Sequence, residues 1–386
     1  MPSRFILPTL ALAVFFVGAT EFMLSAMLSP LAFAFHTTPS QASWLVSSYA
    51  LSYAVAAPIF GYLSDRMDRR RLLLVSLVLF SIDGLALTIA PSFGAAIALR
   101  VFGGLASAAL IPTAFALVAD VIPAHRQSAA MGAVMIGMTS GIVSGPVIAG
   151  VLTEAFDWRA PFLVTAVGCL LTVAIAQRAI PPQASRHLEP KARRFVWLSR
   201  GILIRPLVAK GLWNGTAVAG FLLAGEVLRQ RHDLGIAATG VSISAFGMGL
   251  LLGNLGVGRA IRLVGGDDRT LLAALLLLCA AVGGFMLNPM SLAGDLACLT
   301  AWGFALGLAA PTSTAILATR AGDEKGQVLS LSESLNNLTI LFVLPLAAMQ
   351  FDGAGATGAA LVFGAFLAVG LFLAITDLAT RAPKQP

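Results

Sequence analysis

Long apolar runs alternate with short polar interruptions along the whole chain. Most runs reach the roughly 20 residues that a helix needs to cross the hydrocarbon core of a bilayer. That ruler predicts twelve spans, at 6–28, 42–63, 72–91, 95–118, 129–152, 160–180, 206–228, 237–258, 270–288, 292–318, 327–349 and 355–378. The longest polar interval, 181–205, contains Pro181, Pro182, Pro190 and seven Lys, Arg or His residues. It has no apolar periodicity and reads as a solvated tether. It separates an N-terminal half (1–180) from a C-terminal half (206–386), each with six spans. The predicted fold class is therefore an all-α polytopic membrane protein of two six-helix bundles.

Composition narrows the function classes. Of 386 residues, 58% are hydrophobic and 11% charged, where soluble proteins carry about 25% charged. Mean hydropathy is +0.88. Soluble enzymes, soluble binding modules and disordered chains are excluded. The net charge of +7 would point to nucleic acid in a soluble protein. Here twenty of the 25 Lys and Arg fall on one set of alternate loops, with Arg159, Arg229 and Arg231 on the other. That asymmetry predicts both termini in the cytoplasm and no nucleic-acid partner. Cys169, Cys279 and Cys298 lie in separate apolar runs, and His36, His125, His187 and His232 are scattered. Neither set has metal-ligand spacing, so no metal or cofactor is expected. The first apolar run has no small-residue cleavage site behind it and reads as the first span.

A short internal repeat supports the two halves. Span two ends Gly61-Tyr-Leu-Ser-Asp65-Arg66-Met-Asp68-Arg69-Arg70-Arg71. Span eight ends Gly256-Val-Gly258-Arg259-Ala-Ile-Arg262 and continues to Asp267-Asp268-Arg269. Two similar halves suit alternating access about a midplane site.

These motifs resemble the major facilitator superfamily, and within it the twelve-helix drug/proton antiporters. Gly61-x-Leu-Ser-Asp65-Arg66-x-Asp68-Arg69-Arg70 is similar to the superfamily's loop 2–3 motif, with Asp68 where glycine is usual. Thr20-Glu21-Phe22, followed by Leu28, resembles the first span of the arabinose- and purine-efflux subgroup. Leu99-Arg100-Val-Phe-Gly103-Gly104 resembles the fourth-helix motif, with Gly103 in place of a common glutamine. Gly132, Gly141, Gly145-Pro146 and Gly150 match the spacing of the fifth-helix antiporter motif, and Ala149 replaces its penultimate glycine. Asp157-Trp158-Arg159 and Phe162 match the usual entry into the sixth helix.

The resemblance implies a proton-coupled exporter of small organic molecules in the bacterial inner membrane, acting as a monomer. It also implies that Asp65 latches the halves on the cytoplasmic side, against the eleventh helix near Gln327. A plain topology signal is the other reading of that loop. Gly137, Gly141 and Gly145 recur every four residues in span five, and Gly249 and Gly253 do so in span eight. Small-residue faces allow close helix approach, and these two spans are expected to touch across the halves.

Charges within spans carry the chemistry, because an unpaired charge at mid-bilayer costs about 2.5–3.5 kcal/mol on insertion scales. Glu21 lies about 22 Å along span one at 1.5 Å per residue. Arg100 lies at a similar depth in span four. Burial acts against a carboxylate's charge and a nearby arginine acts for it. Glu21 is thus the expected proton-coupling acid and Arg100 its tuner, with a static ion pair as the alternative. Asp83 is either a second protonatable site or a neutral hydrogen-bonded group. Glu333 with Asn336 and Asn337 forms a candidate binding patch or a solvated helix start. Phe22, Trp213, Asn214 and Trp302 are candidate cavity-wall residues. Lys210 reads as a snorkelling side chain, and Glu226 and Asp295 as end-of-helix charges. An importer or facilitator on the same fold, a channel and a polytopic membrane enzyme remain as alternatives. No GxxxxGK[ST] loop or metal cluster in the sequence favours the enzyme.

Overall fold

A computed structural model describes residues 5–63, 67–181 and 201–380. Asp65 and Arg66 of the gating motif, and most of the tether, lie outside the described residues. Every regular element among the described residues is helical: α1 (Ile6–Phe22), α2 (Leu28–Ala34), α3 (Pro39–Ala42), α4 (Trp44–Leu63), α5 (Arg69–Thr88), α6 (Phe93–Ala108), α7 (Leu110–Val121), α8 (Ala124–Ala155), α9 (Ala160–Ala179), α10 (Gly201–His232), α11 (Ile236–Val264), α12 (Asp267–Leu287), α13 (Leu292–Ala321) and α14 (Lys325–Ala379).

Among the described residues, eleven helical segments are long and apolar enough to cross a membrane. The last of them covers Gly326–Ala379, 54 residues, or about 81 Å if straight. It is not straight. Gly355 has φ 62°, a conformation that favours glycine, and interrupts the helical geometry. Beyond it, a side chain at Gly358 would lie 2.5 Å from the Gln350 carbonyl, so the chain turns back there. Each arm is long enough for one crossing, as the predicted spans eleven and twelve require.

Several helices outrun their predicted spans. α8 covers 32 residues and α10 another 32. Backbone hydrogen bonding continues past the apolar run wherever polar side chains find partners, as Arg229 does with Glu226. Hydropathy marks the bilayer's edge, not the helix's. In the other direction, predicted span four consists of α6 and α7, with a break at Ala109.

The chain forms two compact units: Met1–Pro190 with Leu234–Ser244, and Lys191–Asp233 with Ala245–Pro386. In the first unit, α1 packs along α8, α4 along α6 and α5 along α9. Its core includes Leu10, Val14, Tyr49, Leu77, Phe80, Leu110 and Leu117. In the second, α10 packs on α14 and α12 on α13. Large apolar side chains such as Ile136, Leu171, Leu361 and Phe372 are exposed. In a soluble protein they would be an aggregation hazard; on membrane helices such side chains suit contact with lipid.

The glycine stripes pack differently from the expectation. A side chain at Gly137 would collide with the Ala11 carbonyl, and one at Gly141 with the Phe15 carbonyl. One at Gly145 would lie 2.6 Å from the Ala19 carbonyl. That face of α8 therefore meets α1. Gly249 and Gly253 meet Thr300, Phe304 and Gly307 of α13, where Gly303 and Gly307 press back on Phe246 and Leu250. Both stripes serve packing inside their own unit. Without a hydrophobic drive between helices in lipid, close backbone approach is the main source of attraction. α8 and α11 do touch, but elsewhere. Gly150 lies against Ile236 and Ala237, and Gly240 against the Pro146 carbonyl. Glu154 accepts a hydrogen bond from the Ala237 amide at 2.8 Å. All of these residues belong to the first unit.

Candidate functional site

In the first unit, three helices converge on one buried guanidinium. Arg100 on α6 is 1% exposed. Its Nε donates to the Leu45 carbonyl at 3.3 Å, and its guanidinium stacks 4.5 Å from the centre of the Tyr49 ring. Asp83 on α5, also 1% exposed, places a carboxylate oxygen 3.6 Å from an Arg100 terminal nitrogen. Among the described residues, both terminal nitrogens of Arg100, and Oδ1 of Asp83, lack hydrogen-bond partners. The ion pair is thus loose, well beyond the 2.7–2.9 Å of a charge-assisted hydrogen bond.

Gly103 explains how the carboxylate fits. Any side chain at Gly103 would collide with the Asp83 carboxyl group. The glycine that stands where glutamine is common in the resembled motif is therefore the space that Asp83 occupies. Gly104, its neighbour, lets the Tyr49 backbone and Ser52 approach equally closely. The Tyr49 hydroxyl donates to Ser107 at 2.6 Å, and Ser107 to the Gly104 carbonyl at 3.2 Å.

Glu21 is the penultimate residue of α1 and half-buried. Tyr49 lies within electrostatic reach of Glu21, Arg100 and Asp83. Tyr49 meets Arg100 directly, through its ring, and is not among the candidates the sequence singles out. A polar stripe on span two at Tyr49, Ser52 and Tyr53, spaced three and four residues apart, was the available signal. Phe22 is buried at 6% exposure.

Of the gating motif, Gly61 lies in α4. Asp68, the departure from the family's glycine, caps α5 by accepting from the amides of Arg70 and Arg71. Arg69 pairs with Asp120 of α7 at 2.6 Å, and Arg70 donates to the Gln177 carbonyl of α9 at 2.7 Å. These contacts tie the start of α5 to the ends of α7 and α9 in the first unit. Of the antiporter motif, Gly132 has open space around it, whereas Gly141, Gly145, Pro146 and Gly150 are the close-approach positions described above.

In the second unit, Trp213 and Trp302 are 1% and 0% exposed. Trp302 packs against Phe246 and Phe285, and Trp213 against Gly370. Both lie in the unit's packing interior. The polar candidates do come together. Asn214 donates to Asn336 at 2.8 Å, and Asn337 donates to the Glu333 carbonyl at 3.0 Å. Lys210 does not snorkel: it is 3% exposed, with Thr314 at 2.9 Å and Glu333 at 3.5 Å. Asp295, expected to be an ordinary end-of-helix charge, is completely buried between Arg231 and His232. Glu226 is also buried and pairs with Arg229. Arg320 bridges Asp377 and Asp268, tying α12, α13 and α14.

A bundle of membrane-crossing helices with charges held inside has the physical make-up of a transporter, and comparison with known proteins agrees. The chain is 28% identical over 327 residues to the uncharacterized MFS-type transporter YceJ of Bacillus subtilis, covering 83% of each chain. It is 28% identical over 254 residues to a chloramphenicol resistance protein of Streptomyces lividans, covering 65% of each. Its fold matches the crystal structure of a D-xylose-proton symporter with a TM-score of 0.82, covering 96% of each chain at 15% identity. Residues 10–344 match the sequence pattern of the Major Facilitator Superfamily. This protein is a multi-pass membrane transporter and belongs to that superfamily.

Proposed function

We propose that this transporter exports small organic molecules in exchange for protons, with the cluster around Arg100 carrying the proton. The observation that carries the reading is the loose, fully buried Asp83–Arg100 pair. Two charges removed from solvent are costly unless geometry and hydrogen bonds compensate. Here the arginine terminal nitrogens and one carboxylate oxygen have no hydrogen-bond partners among the described residues. Burial acts against the Asp83 charge and Arg100 acts for it, so a small change in their separation shifts proton occupancy. Arginine keeps its own proton throughout. Alternating access supplies such a change, because rearrangement about a midplane site alters solvation. Glu21, at the end of α1, is the second carboxylate of the proposal and shares the proton transfer with Asp83.

The export direction is supported by the fifth-helix glycine pattern and by the resistance protein among the relatives. Residence in the bacterial inner membrane, action as a monomer and cytoplasmic termini belong to the same proposal. The test uses purified protein in sealed vesicles with an imposed proton gradient and a pH-sensitive dye. Compounds whose toxicity the protein relieves in an exporter-deleted host are added. Each transported compound is expected to dissipate the gradient with wild type and to do so at least tenfold more slowly with Asp83→Asn or Glu21→Gln. Unchanged exchange in both variants overturns the assignment. Proton and substrate moving in the same direction identifies an importer.

A further inference from the structure

Lys210 is a buried cation with no role in the proton site. The residue is 3% exposed, and its ammonium lies within reach of two groups. The Thr314 hydroxyl donates its own proton to the Ala310 carbonyl at 2.8 Å. It therefore turns a lone pair to Lys210 and supplies no counter-charge. Glu333 is the one carboxylate within ion-pair distance of Lys210 among the described residues. It stands 3.5 Å away with its side chain 49% exposed. A buried charge with so distant and so solvated a counterion has an unmet demand for an anion.

The surrounding amides fit the same demand. Asn214 lies one turn beyond Lys210 on α10, and Asn336 three residues beyond Glu333 on α14. Asn214 spends one N–H on the Asn336 carbonyl oxygen at 2.8 Å. The Asn336 amide group keeps its own N–H donors beside Asn214, one helical turn along α10 from Lys210. Trp213, buried against Gly370, holds this part of α10 in place. A cationic compound would meet the Lys210 charge, whereas an anionic one needs only to displace the half-exposed Glu333.

We propose that Lys210 anchors a carboxylate, or a similar anionic group, on the transported compound, with Glu333 as the internal anion that it displaces. The proposal deepens the transport reading above by naming a substrate class, and it rests on that reading.

Three probes of one shape test it: 1-naphthoate, 1-naphthamide and 1-naphthylmethylammonium. Each is titrated calorimetrically into the purified full-length protein in a neutral detergent, with no proton gradient. Naphthoate is expected to bind saturably and at least tenfold more tightly than either other probe. Lys210→Met is expected to erase that preference. Glu333→Gln, which removes the internal competitor, is expected to tighten naphthoate severalfold. Should Lys210→Met fail to fold, Glu333→Gln decides alone. Absence of saturable naphthoate binding to wild type overturns the proposal. So does equal affinity for the amide, or a Glu333→Gln variant whose naphthoate affinity is unchanged or weaker, as a static structural pair requires. Because the measurement uses neither a gradient nor Asp83, its failure leaves proton exchange standing. Failure of the vesicle experiment leaves the probe preference standing.

Discussion

At the scale of single residues, the positions that matter are those where a polar atom sits without its normal complement. Asp83 and Gly103 are one structural unit, because the carboxylate occupies the volume that a side chain at 103 would need. Gly103→Gln is therefore expected to displace Asp83 and destabilise the protein by roughly 1–3 kcal/mol, the usual cost of overpacking. Adding Asp83→Ala to Gly103→Gln makes room again and offers Arg100 an amide oxygen. Thermal denaturation should show the double variant recovering most of that loss, while exchange in vesicles stays low. Equal stability of single and double variants would show that the two side chains do not share the space. Asp68 offers a milder comparison. Its carboxylate caps α5, so Asp68→Ala should cost about 1 kcal/mol and Asp68→Gly only a few tenths. The resembled glycine thus keeps most of the capping benefit. Much of this was legible beforehand. Asp83, Arg100 and Glu333 stood out as charges inside apolar runs. Their partners were not legible: Tyr49 is unremarkable until it meets Arg100, and Lys210 reads as a snorkelling side chain until folding sets it 3.5 Å from Glu333.

At the scale of helices, the glycine stripes decide which pairs pack most closely. Their period was readable, since residues four apart share a face. Their partner was not, since any neighbouring helix can fill a groove of small residues. Gly141→Leu drives a side chain into the Phe15 carbonyl and the Ala19 amide of α1. Gly253→Leu does the same to α13 at Phe304 and Gly307. Both variants are expected to lose folded yield in detergent and melt at lower temperature, because they break packing within a unit. Gly132→Leu, at an open position, should leave stability unchanged. A Gly141→Leu protein with wild-type stability and altered transport alone would return that stripe to a role in conformational switching. Gly355 acts on a different feature, the reversal that makes two crossings of one 55-residue helical segment. Hydropathy indicated both crossings, but the positive φ that separates them is visible only in the structure.

For the whole molecule, charge placed at helix ends is the source of the predictions about orientation and gating. The arginine excess on alternate loops predicts cytoplasmic termini. A green fluorescent protein fused at the C-terminus should fluoresce, and a phosphatase fused there should be inactive; the reverse result inverts the topology. Asp65→Asn is expected to slow transport at unchanged membrane insertion, checked by uptake against protein level in isolated membranes. The two units tie their helices with opposite polarity. In one, Arg69 at the start of α5 reaches Asp120 near the end of α7. In the other, Asp268 at the start of α12 reaches Arg320 near the end of α13. Neither the repeat's exchanged signs nor its ion pairs could be read from the motif copies alone. Membrane residence, the count of crossings and the family were already contained in the chain's runs, charges and motif spacing. Those properties add up locally: each residue's preference for lipid or water is nearly independent of its distant neighbours. The identity of Arg100's carboxylate, the burial of Lys210 and the partners of the glycine faces emerged only on folding, because packing and ion pairing depend on two surfaces meeting.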